Sequence, residues 1–391
     1  MSHIIYCGVD FHARQQTCCL TTEDGELAIH ELKHHDKAAV RAFYSQFPQP
    51  LIVGLEASGY SPWFEQLLEE LGHQVWLGDA TEIRRRARCR QKNDCRDAEL
   101  LWELLVRNEF PRIHRPAAAS REILRMLRYR HKLVKIRTIA KNSLQALAIQ
   151  SGLARRSSLF SRAGLAQLQQ TAMSVAMQAQ REQWLQLLEV LNARITVAEQ
   201  WLATATAADP RVRRLRTHPG IGLLTAVGLV HTLEPVSRFA NQRKVVAYVG
   251  LEPREYSSGE KKRYLGISKA GSRVLRFLLV EAAQTASRGD AELKRFYQRL
   301  QHRCKRPKAK VAVARKLLIR SYILLRDGID YAEFRRRAVA ARPAREDAGP
   351  TGPHSLIERP ASAAAETPSL PQSSNRGSED FGIRAPRNHE A

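Results

Sequence analysis

The order of strand and helix signals over residues 1–112 is the feature that most restricts how this chain can fold. Apolar runs at residues 4–9, 16–22 and 26–32 predict three strands, and Asp24-Gly25 before the third is typical of a hairpin turn. The later signals alternate: helices at 37–47, 61–71 and 94–107, and strands at 51–55 and 74–77. Three antiparallel strands followed by strand–helix–strand crossovers is the order of an RNase H-like fold, and other α/β domains share it. We therefore predict an α/β domain over residues 1–112.

Residues 113–208 carry helical signals throughout. Residues 121–149 form a strongly basic helical segment, and a later segment repeats apolar residues at coiled-coil spacing. That seam consists of Trp184, Leu188, Leu191, Ile195, Ala198 and Leu202. With a loop near residues 151–164, the two segments predict an antiparallel coiled-coil hairpin. The seam would pack either within the chain or against a second copy.

Residues 209–335 predict a second folded unit that is mostly helical. Ser268 is the expected N-cap of a helix ending at residue 286, and further helices are expected at 291–302 and 308–325. Residues 250–259 are predicted to be a loop because of their Gly, Pro and Ser content. Residues 336–391 are rich in Pro, Ser and Ala beyond about residue 341, which predicts a disordered tail. The fold class is therefore α/β plus all-α.

The charge of the chain indicates a polyanionic partner. Lys and Arg number 63 against 39 acids, which gives a net charge of +24. Each phosphate contact releases counterions, so nucleic acid is favoured. An anionic membrane is disfavoured because the apolar runs, such as 317–319, are too short to span a bilayer, and the N-terminus does not resemble a signal peptide.

The cysteines indicate a reducing compartment. The six thiols show neither a disulfide framework nor CxxC spacing for zinc. We expect reduced cysteines in a cytoplasmic protein.

Four acidic residues are candidates for a metal site. Asp10 and Glu56 each end a predicted strand, and Asp94 and Asp97 lie on one face of a predicted helix. In an RNase H-like sheet the first and fourth strands are neighbours, so the four carboxylates could converge and hold Mg²⁺ for phosphoryl transfer. The alternative is that they are turn or cap residues, with Asp94 as the N-cap of its helix.

Basic residues precede the last two acids. The positions are Arg84, Arg85, Arg86, Arg88, Arg90 and Lys92. They either draw a phosphate backbone towards the carboxylates or form a solvated helix face.

Two further segments suit contact with phosphate. The sequence His218-Pro219-Gly220-Ile221-Gly222 is typical of a helix-hairpin-helix, whose Gly220 and Gly222 would leave amide groups free for phosphate; the alternative is a plain helical turn. The segment at 250–259 contains serines and is followed by a series of cations, Lys261, Lys262, Arg263, Lys269 and Arg273. A serine there could attack a phosphodiester if its proton loss were assisted, although most loop serines have no such role.

These motifs resemble a known family. The sequences GVDFH, GLEASGY and KNDCRDAELL are similar to the three acidic motifs of the DEDD transposases of the IS110 insertion-sequence family. HPGIG and YVGLEPREYSSGEKKRYLGISKAGSRVLR resemble the C-terminal transposase domain of that family. The resemblance covers about residues 3–335 in the same order.

The resemblance implies a specific chemistry. It implies a RuvC-like N-terminal domain in which Asp10, Glu56, Asp94 and Asp97 hold Mg²⁺. It also implies a C-terminal serine nucleophile that forms a transient phosphoserine link to DNA. The motif places that serine before a glycine, which assigns Ser258 and leaves Ser257 as the alternative; Glu260 stands where family members often have a second glycine.

The resemblance also implies partners. Recombination would be guided by a noncoding RNA from the ends of the element, and the protein would act as a homo-oligomer, a dimer or tetramer, with a site composed from two protomers. Two other functions stay open. One is a junction nuclease that uses water, and the other is a catalytically silent protein that binds nucleic acid.

Overall fold

The structure, a computed structural model, describes residues 5–21, 25–47, 51–87, 93–154, 158–258 and 261–340. For residues 256–258 and 261–264 it describes the backbone only. Residues 336–340 of the predicted disordered tail form the end of a helix that runs to Ala340, and residues 341–391 lie outside the described residues. Asp24 of the predicted turn, and Arg88, Arg90 and Lys92 of the basic run, also lie outside them.

The described N-terminal residues form a five-stranded mixed sheet. Its strands are β1 (Ile5–Phe11), β2 (Gln15–Thr21), β3 (Leu27–Lys33), β4 (Leu51–Glu56) and β5 (Gln74–Gly78). The strands lie in the order β3-β2-β1-β4-β5, with β1 antiparallel to β2 and parallel to β4. All five strands were predicted close to these bounds.

Helices cover both faces of this sheet. They are α1 (Lys37–Ser45), α2 (Pro62–Glu70), α3 (Ala80–Arg86) and α4 (Asp94–Val106). On one face, Tyr44 of α1 and Phe64 of α2 belong to a buried cluster with strand residues. On the other face, Ile83 of α3 and Leu101 of α4 pack with Ile52 of β4. The sequence did not predict α3, which contributes one buried apolar residue.

Gly8 allows α4 to lie directly on β1. A Cβ atom at this position would lie 2.3 Å from the backbone nitrogen of Trp102 and 2.4 Å from the carbonyl oxygen of Ala98. Gly54 is the partner of Gly8 on the neighbouring strand β4. The two glycines therefore give the sheet a flat surface beneath the helix.

Residues 118–205 contain α5 (Ala118–Gln150), α6 (Arg162–Gln170) and α7 (Val175–Ala205). The coiled-coil seam of α7 is buried within the chain. Leu191 and Ile195 pack against α5 residues, and Leu188 packs near the far end of α5. Of the two possibilities for the seam, the structure supports packing within one chain.

The C-terminal region is mostly helical. It contains α8 (Pro210–Arg216), α9 (Leu223–Leu233), a 3-10 turn (Val236–Arg238), α10 (Gln242–Val249), β6 (Pro253–Ser258), β7 (Lys261–Ile267), α11 (Arg273–Gly289), α12 (Ala291–Gln301), α13 (Arg306–Arg326) and α14 (Tyr331–Ala340). A single buried cluster joins α8, α9, α10, α11 and α13. None of the helices in the described ranges is both long and apolar enough to cross a bilayer.

Two predictions about this region are wrong. The expected loop at 250–259 contains strand β6, which pairs with β7 as an antiparallel hairpin. The helix expected to begin after Ser268 begins at Arg273, and its N-cap is Ser272, whose side chain accepts from the amide of Leu275. Lys269 and Gly271 have positive φ angles of 61° and 65°, so the chain between the two serines cannot be helical.

Candidate active site

Asp10 and Glu56 lie at corresponding ends of two neighbouring parallel strands. The register pairs Gly8 with Gly54 and Val9 with Leu55, so Asp10 and Glu56 come next in line. Side chains alternate between the two faces of a strand, which puts both carboxylates on the face that α4 covers. The local fold thus brings together two acids that are 46 positions apart in the sequence.

Helix α4 carries the other two acids to the same place. Its N-cap is Asn93, whose side chain accepts from the amide of Cys95 at 3.0 Å. Asp94 is therefore the first residue of the helix, and the alternative that Asp94 is the cap is wrong. Asp97 follows one turn later, and both acids belong to the first turn.

His12 joins the acidic group. Its Nε2 atom lies 3.0 Å from Oδ2 of Asp10 and 3.6 Å from Oδ1 of Asp94. Ligand atoms of these three residues all lie within 4.8 Å of one another, a spacing that a bound metal ion could bridge. Sequence analysis missed His12 as a site residue. The available signal was its position two residues after Asp10, which in extended chain puts both side chains on one side.

A cavity of about 930 Å³ lies in front of these residues and is lined by Asp10, His12, Glu56 and Asp97, among others. Arg84 also lines it, with Nη2 3.5 Å from Oε1 of Glu56. Glu56 and Asp97 thus share the cavity with Asp10, although neither belongs to the compact group of three ligands.

The electrostatics of Asp10 fit a cation site. Burial raises the pKa of Asp10, the neighbouring His12 opposes this, and the charges of Asp97 and Asp94 raise the pKa further. Carboxylates that crowd in this way destabilise each other's ionised forms, and a divalent cation would relieve that repulsion. The donor set of hard oxygen atoms with one imidazole can hold such an ion.

The C-terminal hairpin holds the predicted nucleophile. Ser258 ends β6 and is paired in register with Lys261 of β7; Ser257 is paired with Lys262. The hairpin forms its own two-stranded sheet. The side chains of both serines, and of the cations Lys261, Lys262 and Arg263, lie outside the described residues. Lys269 and Arg273, just after the hairpin, are exposed.

The two glycines of the predicted phosphate-binding turn differ in their surroundings. Gly220 has a φ of 89°, and a Cβ atom there would lie 2.4 Å from the backbone nitrogen of Ala286, so close packing on α11 requires glycine. Gly222 is the N-cap of α9 and faces open space. Glu199 and Glu281 line the small cavity beside Gly222, which disfavours an anion there. Phosphate binding by this turn stays a prediction.

Comparison with known proteins finds family matches in both the N-terminal and the C-terminal region. Residues 7–152 match the DEDD transposase domain of the IS110 family, and residues 212–298 match the transposase domain of the IS116/IS110/IS902 family. A protein of Pseudomonas aeruginosa named "Probable family 20 transposase" is 31% identical over 288 residues, which cover 71% of this chain and 84% of that protein.

Two further relatives are transposases named for their insertion sequences. The transposase for insertion sequence element IS1328 of Yersinia enterocolitica is 30% identical, over 64% of this chain and 75% of that protein. The transposase for insertion sequence element IS1111A of Coxiella burnetii is 30% identical, over 50% of this chain and 55% of that protein.

An α/β domain with an acidic cavity, followed by a mostly helical basic region, is the arrangement of a transposase that acts on DNA. The chain belongs to the IS116/IS110/IS902 transposase family. The DEDD designation of the N-terminal domain implies the use of a divalent metal ion, and the group of Asp10, His12 and Asp94 is a candidate place for it.

Proposed function

We propose that this insertion-sequence transposase cleaves and exchanges DNA strands at the cavity lined by Asp10, Glu56 and Asp97, with Mg²⁺ as its metal. The observation that carries the proposal is the spacing of Asp10 and Asp94, whose ligand atoms meet within 4.8 Å in a group with His12. The strand order β3-β2-β1-β4-β5, which RNase H-like domains share, supports a RuvC-like relationship for residues 1–112.

We assign each residue of the site its own role in the reaction. Asp10 and Asp94 would hold the metal, and Glu56 and Asp97, which line the same cavity as Asp10, would supply further oxygen ligands. Bound Mg²⁺ supplies charge that polarises a phosphodiester and neutralises its developing negative charge. His12, hydrogen-bonded to Asp10, fixes the orientation of that carboxylate. Arg84 offers a cation at the same cavity to a DNA phosphate.

We assign the nucleophile to Ser258. Its Oγ loses the hydroxyl proton as it attacks phosphorus, the bond from phosphorus to the leaving sugar oxygen breaks, and that oxygen takes up one proton in return. The resulting phosphoserine link keeps the energy of the phosphodiester, so the strand can be rejoined without an external energy source. Ser258 is the last residue of β6, where its backbone pairs with Lys261 of β7.

Ser258 lies more than 150 residues beyond Asp97, so the serine of one chain need not share a site with the acids of the same chain. We therefore propose a homo-oligomer, a dimer or tetramer, in which one protomer's serine meets its partner's acids. The domains in this scheme are residues 1–112, the coiled-coil hairpin at 113–208, the serine domain with its helix-hairpin-helix at 209–335, and the tail at 336–391.

A noncoding guide RNA from the element's own ends is part of the proposal. Support comes from α5, where exposed cations recur at spacings of three and four residues and so form one stripe: Arg125, Arg128, Lys132 and Lys135. Such a stripe contacts phosphates of either nucleic acid without reading sequence. Sequencing the RNA that copurifies with the protein from its host would test this point. A discrete transcript encoded beside the gene is expected, and random host RNA would contradict it.

The central experiment compares strand exchange by three variants in Mg²⁺. Asp10→Asn and Ser258→Ala should each abolish exchange, and Ser258→Ala should also abolish the covalent protein–DNA adduct that denaturing gels detect with wild type. Ser257→Ala is the matched control and should retain both. A covalent adduct in Ser258→Ala would remove that serine from the mechanism.

The same assay separates the two other functions. Cleavage by wild type without any covalent adduct would favour a junction nuclease that uses water. DNA binding without strand breakage, in the presence and absence of Mg²⁺, would favour a catalytically silent protein.

A further inference from the structure

A second polar cleft lies far along the chain from the acidic cavity, between α11, α12 and α13. Its volume is about 290 Å³, a size that holds one small ligand. The proposed strand exchange assigns no role to it. Its lining combines cations, amides and an aromatic ring.

Each of the three helices presents one stripe of residues to the cleft. Helix α12 contributes Lys294, Tyr297, Gln298 and Gln301, which are spaced by three and four residues and therefore share a face. Helix α11 contributes Arg288 among others, and α13 contributes Lys310 from its first turns. Three separate elements thus converge on the same small volume.

The cleft is positively charged and its lining contains no carboxylate. Across the part of the chain that the structure describes, neither Arg288 nor Lys294 has an ion-pair partner within 4.0 Å. Lys310 donates to the amide oxygen of Gln284 at 2.8 Å, so its partner is neutral and its charge is uncompensated. An anionic group would meet three cations here.

The rest of the lining suits a nucleobase. Tyr297 is half-buried against the C-terminal core, which holds one side of its ring and leaves the remainder at the cleft. The amides of Gln298 and Gln301 each offer a donor and an acceptor, the groups needed to hydrogen-bond the edge of an unpaired base. Aromatic stacking with amide and cation contacts is how proteins hold unstacked bases of single strands.

We propose that the α11–α12–α13 cleft binds one unpaired nucleotide of a single-stranded nucleic acid, with Tyr297 stacking on the base and Arg288, Lys294 and Lys310 contacting its phosphate. A small concave cleft selects an extruded nucleotide over the face of a duplex. The chemistry is common to DNA and RNA, so both are probes in the test. The inference extends the proposed function but does not depend on cleavage or on the acidic cavity.

The test measures binding of the full-length protein to fluorescent oligonucleotides in EDTA, where strand cleavage cannot contribute. The probes are a single-stranded DNA, a single-stranded RNA and a duplex of the same length. Tyr297→Leu should weaken binding of at least one single strand by about 10-fold, because stacking of one base on an aromatic ring contributes about that much. Duplex binding should change by less than about twofold. Tyr297→Phe keeps the ring and should bind as wild type does.

A charge control uses two neighbouring residues of α12. Lys294 lines the cleft, whereas the exposed Arg295 beside it does not. Lys294→Gln should lower the slope of log Kd against log salt concentration for the single strand by about one, the effect of one lost phosphate contact. Arg295→Gln removes the same charge and should leave the slope unchanged. Circular dichroism of each variant checks that it is folded.

Three outcomes would overturn the inference. Equal effects of Lys294→Gln and Arg295→Gln would mean general attraction to a basic surface. Equal losses for Tyr297→Phe and Tyr297→Leu would exclude stacking. Unchanged nucleic-acid binding with an altered oligomer mass in light scattering would make the cleft a contact between protein copies. None of these results affects the strand-exchange assay of Asp10→Asn. A failure of the nucleotide-binding inference can therefore be distinguished from a failure of the proposed strand exchange.

Discussion

Asp10 in the N-terminal domain and Asp290 in the C-terminal region are both largely buried aspartates, and their pKa values move in opposite directions. Asp10 has an imidazole and two further carboxylates around it, and burial raises its pKa. For Asp290, burial would raise the pKa, but hydrogen bonds and charge outweigh burial and lower it to about 2. The same side chain is thus unfavourably ionised in one place and strongly stabilised in the other.

The partners of Asp290 explain its low pKa. Its Oδ2 accepts from Arg320 at 2.9 Å and from the hydroxyl of Tyr331, and its Oδ1 accepts from the amide of Leu293 at 2.7 Å. Arg320 also donates to Glu292 at 2.6 Å and is itself only 3% exposed. Every charge in this network has an opposite partner, which is typical of a structural role.

The contrast supports the proposal that the acids around Asp10 bind a cation. Asp290 and its neighbours are satisfied by groups of the chain itself, whereas the acids around Asp10 repel one another and are stabilised only in part by His12. Repulsion between the carboxylates of such a cluster lowers the free energy of unfolding, and binding of a cation raises it. Under the proposed function, the acids around Asp10 are the metal site and the network around Asp290 is structural.

The largest effect expected from this comparison is on the scaffold. Arg320→Leu leaves Asp290 buried without its charge partner and should lower the free energy of unfolding by about 3–5 kcal/mol. Urea denaturation followed by circular dichroism would measure it. A loss below about 1 kcal/mol would mean that the network is not structural.

Acid should weaken the same network through His218. Burial lowers the pKa of His218 to about 4 from its ordinary value of 6.5, the Pro219 carbonyl opposes this, and Arg320 lowers the pKa further. The unfolded chain therefore takes up this proton first, so the contribution is complete above pH 6.5 and is lost as the pH falls towards 4. The loss should be on the order of 3 kcal/mol.

The measurement for His218 is the free energy of unfolding at several pH values between 7 and about 4, for wild type and His218→Gln. Other histidines, including His231 and His131, also have lowered pKa values and contribute to the wild-type slope. The difference between the two proteins isolates His218. Parallel curves would exclude the effect.

A smaller change, an increase in the free energy of unfolding, is expected from a substitution in the acidic cavity. Without divalent cations, Asp10→Asn should raise the free energy of unfolding at pH 7 by about 1 kcal/mol, as removal of a strained functional charge does. The folded pKa of Asp10 is raised, so the cost of ionisation exists at neutral pH and disappears as the pH falls through that value. Mg²⁺ should raise the Tm of wild type and not of the variant. Equal stabilisation of both by Mg²⁺ would contradict a metal ligand role.

The smallest effect is expected at the ion pair between Arg84 and Glu56. The Arg84 side chain is 78% exposed, and its Nη2 atom lies 3.5 Å from the carboxylate of Glu56, so Arg84→Ala should change the free energy of unfolding by less than about 0.5 kcal/mol. Its effect on DNA binding should be visible instead as a reduced salt dependence. A stability loss as large as that of Arg320→Leu would erase the distinction between the two regions.

Local signals predicted the N-terminal domain well. The apolar runs and the polar turns between them predicted all five strands. The ends of two predicted strands were enough to select Asp10 and Glu56 as candidate site residues. Helix α3 was missed because Ile83 is its one buried apolar residue, so it has no periodic pattern. His12 was missed because its role depends on Asp94, which only the packing of α4 brings near.

The C-terminal errors have a different cause. Residues 253–258 contain proline and serines, and their strand exists through pairing with β7, which composition does not reveal. Ser268 and Ser272 both suit an N-cap, and the backbone at Lys269 and Gly271 decides between them. Whether the seam of α7 packs within the chain or against a second copy likewise depends on the position of α5, which the sequence of the seam does not give.

The missing side chain at position 8 also determines where the acids are. Helix α4 packs directly on the backbone of β1 at Gly8, where its residues Ala98 and Trp102 leave no room for a Cβ atom. A methyl group at position 8 would push α4 away from β1. Asp94 and Asp97 would then move away from Asp10, although no acid is changed. If the four acids hold the metal ion as proposed, Gly8, a residue with no functional group, determines how closely they meet around it.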